Sequence, residues 1–252
     1  MLTCVVVPHF DHFEQFRHML PELVDQGFPL IVVDDASPSQ SFKALARLID
    51  DHAPGSILIR HTENLGKGGA MMTGFRAALN AGYTHAVQVD ADGQHDVDAI
   101  ALLTAVAATH QDSIICGQPV FDESVSTLRF LARYITLFFS WLETLSTEIR
   151  DAMCGFRSYP LKRIVRLVEE SNPGMGMVFD PEILVRAVWA DIPLWFIPVQ
   201  ITYPEDGKSH FRYLRDNIKI SWMHTRLILG MLVRLPRLIR RDRSRQAKHE
   251  VL

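Results

Sequence analysis

Five short apolar runs, TCVVVP, LIVVDD, SILIR, HAVQVD and SIICG, recur through the first half of the chain, separated by longer segments with a helical period. This alternation limits the fold more than any other feature. A run that is apolar throughout, and not merely at every second residue, reads as a strand covered on both faces, the mark of a parallel sheet. Parallel neighbours need crossovers. FEQFRHMLPELVDQG, SFKALARLIDDH, KGGAMMTGFRAALNAG and DVDAIALLTAVAATH supply them as helices, and two of these end in the glycine favoured just past a helix. With right-handed crossovers, the pattern predicts a doubly wound α/β sheet. Such sheets bind ligands at the carboxyl ends of their strands, where Pro8, Asp34, Asp35 and Asp90 fall.

The rhythm changes after residue 120. STLRFLARYITLFFSWLETLS reads as a long helix with a wide apolar face, CGFRSYP as a strand leaving a loop, and LKRIVRLVEE as a short helix. DPEILVRAVWA is a helix with Pro181 in its first turn. LWFIPVQITYP is a strand and PEDGKSH a turn-rich loop. FRYLRDNIKISWMHTRLILGMLVRL is one amphipathic helix expected to end near Pro236. No internal repeat or low-complexity segment interrupts this order. The 252 residues suit one large domain with an appendage, and 48% hydrophobic residues suffice for a sizeable core. A net charge of −3 argues against nucleic acid as the main partner, although LVRLPRLIRRDRSRQAKHEVL at the end is strongly basic. Cys4, Cys116 and Cys154 follow no disulfide or zinc pattern, which suggests a reducing cytoplasm. The opening MLTCVVVPHF lacks signal-peptide character, and no run approaches the roughly 18 apolar residues of a membrane span. A soluble or peripheral chain is expected.

The acids of VQVDADGQHD carry the sharpest chemical signal. Asp90 and Asp92, two apart at a strand end, are able to point into one spot of the cleft. Unpaired carboxylates so close raise each other's pKa. A hard divalent cation removes that penalty, and Mg²⁺ or Mn²⁺ favours one or two carboxylates plus phosphate oxygens. Gln94 or His95 is a further candidate ligand. The alternative is a turn at Asp92-Gly93, and Asp96 is expected to cap the following helix. In VVDDASPS, Asp34 or Asp35 could accept hydrogen bonds from a nucleotide's base or ribose, or simply make an Asx turn. ENLGKGGAMMTG opens a helix with backbone N–H groups suited to phosphate, yet it is neither a Walker A loop nor GxGxxG, because Met71 stands at the last glycine position. A structural turn is the alternative. Asp151 and Arg157 flank the small-residue turn of DAMCGFRSYP, with a buried ion pair as the plain reading. VFDPEIL offers Asp180, a candidate helix cap, and Glu182. EDGKSHFR offers Lys208, Ser209, His210 and Arg212, or merely a solvated hairpin.

The order of these pieces is more specific than any one of them. A strand ending in Pro8, then VDDASP, NLGKGGA, VDADGQHD, CGFRSYP, FDPEIL and GKSHF, resembles family 2 glycosyltransferases from about residue 3 to about 212. The polyprenyl-phosphate sugar transferase branch, of the dolichol-phosphate mannose synthase type, is the most similar. The resemblance implies a GT-A fold, a UDP- or GDP-linked sugar donor, a divalent metal (Mg²⁺ or Mn²⁺) and inversion at the anomeric carbon. It places Pro8, Asp34, Asp35, Gly66, Lys67, Asp90 and Ala91 at the nucleotide sugar, with Asp35 the better candidate for the base. Asp90, Asp92 and Gln94 match the metal and diphosphate site. Glu182 matches an acid on the acceptor side, and Arg157, Lys208 and Ser209 match positions lining the catalytic mouth; Asp151, His210 and Arg212 are further candidates read from the residues themselves. Two departures stand out: Pro8 is followed by His9-Phe10-Asp11, and Pro204-Glu205-Asp206 occupies a loop that usually carries an acceptor-binding arginine.

The acceptor decides whether a base is needed. A lipid phosphate is already anionic and needs only cations, for which Arg157, Lys208 and Arg212 are candidates. A hydroxyl needs a base within about 3 Å, and Glu182 is the first choice, followed by Asp151 or His210. The Arg-rich amphipathic helix and tail predict a catalytic domain over 1–212 and a membrane-associating segment over 213–252, peripheral at the cytoplasmic face of the membrane. A core or dimer-packing helix followed by a solvated tail is the alternative. Two other function classes remain: a nucleotidyltransferase, whose N-terminal glycine-rich basic signature is missing, and a non-catalytic nucleotide-sugar-binding scaffold.

Overall fold

The computed structural model describes residues 1–120, 127–200 and 213–240, with side chains from residues 131 and 216 onward in the last two stretches. These residues form seven strands and eight helices: β1 (Thr3–His9), α1 (Phe13–Asp25), β2 (Leu30–Asp34), α2 (Ser39–His52), β3 (Ile57–Arg60), α3 (Lys67–Asn80), β4 (His85–Gln88), α4 (Ala99–Thr109), β5 (Ile114–Val120), α5 (Thr127–Thr144), β6 (Arg157–Pro160), α6 (Leu161–Ser171), α7 (Phe179–Trp189), β7 (Leu194–Gln200) and α8 (Tyr213–Arg240). Every strand and helix expected from the sequence is present.

The strands make one sheet in the order β3-β2-β1-β4-β6-β5-β7. β1 pairs in parallel with both β2 and β4, which puts the topological switch point between β1 and β4. The first half is thus the doubly wound arrangement. The second departs from it, because β6 runs antiparallel to both β4 and β5. Arg157 leads this strand back from a loop at the sheet's ligand end and pairs with Gln88. β3 also differs from the expectation of full cover, since it is an edge strand with both end residues exposed.

Alternating residues of β1 feed two cores. Cys4 and Val6 join α3, α6, α7 and α8 on one face, whereas Val5 and Val7 join α1, α2 and α4 on the other. Each fully buried Val, Leu or Phe contributes roughly 1.5–3 kcal/mol. Gly74 lets α3 approach β1 closely: a Cβ there would lie 2.4 Å from Val6 Cγ1. All three cysteines are free and buried, and burial pushes their thiols up to about 12, so they are inert packing groups at neutral pH.

α8 is not set apart from this body, because Met223, Leu227 and Met231 pack into the core shared with α3 and α7. It also runs through Pro236 to Arg240, beyond the end expected. Pro236 is exposed, and Leu238 one half-turn later is buried, which holds the final turn against the body. No helix among the described residues is long and apolar enough to cross a membrane.

Candidate active site

Three segments meet at the switch point: the loop leaving β4, the first turn of α3, and the start of α7. Lys67 is the first residue of α3, where the helix dipole disfavours a cation. Two carboxylates compensate it. Its Nζ donates to Asp90 Oδ2 at 2.7 Å and to Asp180 Oδ2 at 2.5 Å. The buried amide of Gln88 makes the same bridge from the sheet, with Nε2 at 3.2 Å from both Asp90 Oδ1 and Asp180 Oδ1. Burial alone would raise the Asp90 carboxyl, but the charges of Lys67 and His95 and hydrogen bonds from Lys67 and Gln88 outweigh it and bring the pKa down to about 2. Burial likewise opposes the charge on Lys67, and the two aspartates overcome it, so the ammonium is held protonated.

Asp92 lies half-buried next to this cluster, and its Oδ1 accepts the Gln94 N–H at 3.1 Å, so the turn reading holds for its local geometry. Ala91 between the two acids is buried. His95 accepts the Asp90 N–H on Nδ1 at 3.3 Å and stacks on Phe156, which fixes the loop against the sheet. Asp96, three residues ahead of the helix start at Ala99, accepts the Asp98 N–H at 3.1 Å, so it closes a turn before α4 and does not cap its first residue.

Arg157 corrects one expectation. It is wholly buried and does not line the mouth. Its guanidinium donates to the carbonyls of Asp180 at 2.8 Å and Ala152 at 3.0 Å, and lies against Tyr159 Oη, which in turn donates to Gln88 Oε1 at 3.2 Å. Nor does it pair with Asp151, whose carboxylate is held by Arg133 and by the Met153 and Cys154 N–H groups. The antiparallel path of β6 turns Arg157 inward and leaves Asp151 in the preceding loop beside α5.

The phosphate reading of the glycine-rich stretch is also corrected. The Leu65 and Gly66 N–H groups donate to Asp35 at 2.8 and 2.6 Å, and the Gly69 N–H donates to the Met175 carbonyl at 3.0 Å. The glycines instead admit the backbone of 174–176: a Cβ on Gly68 would lie 2.6 Å from the Gly174 carbonyl oxygen. Asp35 also receives His61 Nδ1 at 2.7 Å, so this acid organises the 61–66 loop. Asp34 accepts from His9 Nδ1 at 3.0 Å and the Ser37 N–H at 3.2 Å. Burial would raise its carboxyl, but these hydrogen bonds and the nearby His9 charge lower it. Pro8 sits in β1 opposite Val33, one residue before the switch-point end of the strand.

Glu182 is entirely buried, and its two oxygens accept from Arg186, Arg226 and the Gly174 N–H, all between 2.5 and 3.0 Å. A carboxylate so enclosed is an anchor between α7, α8 and the 172–178 loop. To take a proton it would first have to give up a partner. Lys208, Ser209, His210 and Arg212 lie outside the described residues.

Sequence reasoning passed over Gln88 and Tyr159, and for Asp180 it offered a helix cap as the plain reading. A glutamine inside an otherwise apolar central strand signals a buried polar network. Asp180 reads as a helix cap, but makes no capping bond; it turns to Lys67 and Gln88 instead.

The donor set suits a hard cation. Asp90, Asp92 and Gln94 offer oxygen ligands at one strand end, and Mg²⁺ or Mn²⁺ typically completes its shell with phosphate oxygens and water. Among the described residues no group of three His, Cys, Asp or Glu side chains forms a metal cage by itself.

Comparison with known proteins places the chain in a family. A family model described as Glycosyl transferase family 2 matches residues 4–164. The UDP-N-acetylglucosamine–dolichyl-phosphate N-acetylglucosaminyltransferase of Methanococcus voltae is 21% identical over 247 residues, covering 92% of this chain and 98% of its own. The polyprenol monophosphomannose synthase of Mycolicibacterium smegmatis is 25% identical over 219 residues, covering 82% and 80%. Among solved structures, the Pyrobaculum calidifontis mannosyltransferase PcManGT, in complex with GDP-Man and Mn²⁺, superposes with a TM-score of 0.56 at 16% identity, over 99% of this chain and 76% of that one. S. aureus TarS with UDP-GlcNAc gives 0.56 at 14% identity, over 97% and 73%.

Proposed function

The chain belongs to glycosyl transferase family 2, and on that premise we propose that it moves a sugar, with inversion, from a UDP- or GDP-linked donor to a lipid phosphate at a membrane surface. The observation that carries this reading is the placement of Asp90 and Asp92 at the β1/β4 switch point. The M. voltae and M. smegmatis relatives support the acceptor class, since one is named for dolichyl phosphate and the other for a polyprenol.

Asp90 and Asp92, with Gln94 beside them, would hold Mg²⁺ or Mn²⁺ against the donor diphosphate. A bound divalent cation would supply Lewis-acid stabilisation of the charge that develops on the departing phosphate oxygen. Lys67 adds a fixed positive charge at the same place. Asp35 holds the loop 61–66 that borders the nucleotide pocket, Gly66 seats that loop against the backbone of 175–176, and Pro8 lies at the end of β1 on the donor side. An acceptor phosphate oxygen forms the new bond to the anomeric carbon from the face opposite the diphosphate. The old carbon–oxygen bond breaks, and its electron pair leaves with the nucleoside diphosphate. An anionic acceptor needs no base, which agrees with the enclosure of Glu182 by two arginines. Arg157, buried under Asp180, acts as a positioning residue. Lys208, Ser209, His210 and Arg212 are assigned to the acceptor phosphate.

α5 and α8 provide the membrane-facing surface. Leu131, Tyr134, Ile135, Phe138 and Leu142 form one exposed stripe at helical spacing on α5. On α8, exposed Ile218, Trp222, Leu229 and Val233 lie opposite the buried Met223, Leu227 and Met231, with exposed Arg240 in line with the stripe. Three unpaired cysteines are consistent with the cytoplasmic side.

The reaction is tested with radiolabelled UDP-GlcNAc or GDP-Man and vesicles containing polyprenyl phosphate. Label is expected to enter the lipid extract with Mn²⁺, to fail with EDTA, and to fall at least 100-fold in Asp92→Ala. Free sugar as the sole product, or label transfer unaffected by EDTA and by Asp92→Ala, overturns the proposal.

A further inference from the structure

The ion pair between Lys67 and Asp90 raises a question for any cation that shares Asp90. Both oxygens of this carboxylate already have donors, Oδ2 the Lys67 ammonium and Oδ1 the Gln88 amide. Each oxygen keeps a second lone pair, but a cation that approaches it is repelled by the ammonium 2.7 Å from Oδ2, so a metal binds there fully only when that charge yields. Gln88 is fixed from behind by Tyr159 and sits in the middle strand of the sheet, so it has nowhere to go. Lys67 has an alternative partner already in place, because Asp180 lies 2.5 Å from its Nζ. Asp180 makes no capping bond for α7, and its carboxylate is nearly inaccessible, at 5% exposure. Its carboxylate contacts are Lys67 and Gln88, the same pair that hold Asp90.

The space around the ammonium is kept open by Gly155. A Cβ at that position would lie 2.7 Å from Lys67 Nζ, 2.4 Å from Gln88 Nε2 and 3.0 Å from Asp90 Oδ2. The lysine therefore has a resting partner, a working partner and room between them. Three carboxylates (Asp90, Asp92 and Asp180) and one ammonium leave a net charge of −2, which one divalent cation neutralises. Without Lys67 the same groups over-attract cations. Without Asp180 the lysine is committed to Asp90.

We propose that Lys67 is the resident counter-ion of Asp90, that Asp180 is the partner to which it withdraws, and that this pair sets the affinity of the site for a divalent metal. Through it the site resists loading with free cation and fills when a nucleotide diphosphate supplies the remaining oxygens. This inference rests on the metal-dependent reading above and adds two positioning residues to it.

The test is direct Mn²⁺ binding to the full chain, read by electron paramagnetic resonance of the free ion, with no sugar donor and then with UDP or GDP. Lys67→Met is expected to tighten Mn²⁺ binding without nucleotide by roughly tenfold, and Asp180→Asn to weaken it by roughly tenfold, the scale usual for residues that support metal ligands. Opposite shifts are the signature, because a variant that merely misfolds loses binding. Near-wild-type binding in both variants, or weakening in both, overturns the counter-ion role while wild-type binding with nucleotide leaves the metal-dependent reading standing. No Mn²⁺ bound by the wild-type chain even with UDP or GDP overturns both.

Discussion

Gly155 is the residue at which the smallest change reaches the most chemistry. The atoms that a Cβ would meet there are the end of Lys67, which is able to swing aside, the buried amide of Gln88, which is not, and an oxygen of Asp90. Gly155→Ala is therefore expected to lower the thermal midpoint by several degrees and to weaken donor binding roughly tenfold, because the displaced ammonium no longer spans Asp90 and Asp180. A thermal-shift titration with nucleotide sugar and Mn²⁺ reads both quantities, and unchanged donor affinity would refute the claim. At this scale the sequence was legible where a residue type and its position agreed. DAD at a strand end announces itself, and Asp90 and Asp92 lie where expected. Asp180 was hidden because an acid ahead of an apolar helix looks like a cap, and only the position of Lys67, 113 residues earlier, draws it away.

Helices and strands were legible from their periods, and their directions were not. CGFRSYP reads as a strand, yet nothing local says that it runs antiparallel between β4 and β5. That direction buries Arg157 and separates it from Asp151. Glu182 shows the same limit, since two arginines reach it from α7 and from α8. Removing one partner of a buried ion pair costs about 3–5 kcal/mol. Arg226 is partly solvated, which screens its share. Glu182→Gln is thus expected to lose about 2 kcal/mol of stability in urea denaturation, and any activity loss should follow the unfolded fraction. A variant of wild-type stability with abolished turnover would restore Glu182 as the base and with it a hydroxyl acceptor.

For the whole molecule, the two amphipathic helices pose the membrane question. α5 and α8 are joined at their buried sides by His224 Nδ1 and Glu143 Oε1 at 2.7 Å, and each leaves an apolar stripe uncovered. Burying one such side chain contributes roughly 1.5–3 kcal/mol. Co-sedimentation with vesicles containing anionic lipid is expected to be strong at low salt, weaker at high salt, and at least tenfold weaker in Trp222→Glu/Val233→Glu. Equal sedimentation by the double variant would remove α8 from the membrane surface.

The sequence by itself determined the alternation of strands and helices and the gathering of acids at the switch-point end of the sheet. Those features depend on local period and on residue type, which a linear chain carries in full. The tertiary structure decided which acid meets which cation. Lys67 pairs with Asp90 and Asp180, Asp151 with Arg133, and Glu182 with Arg186 and Arg226. The physical reason is range: apolar periodicity is set by neighbours one turn or one pleat away, whereas most of these ion pairs form between elements that only the packing of helices on the sheet brings together.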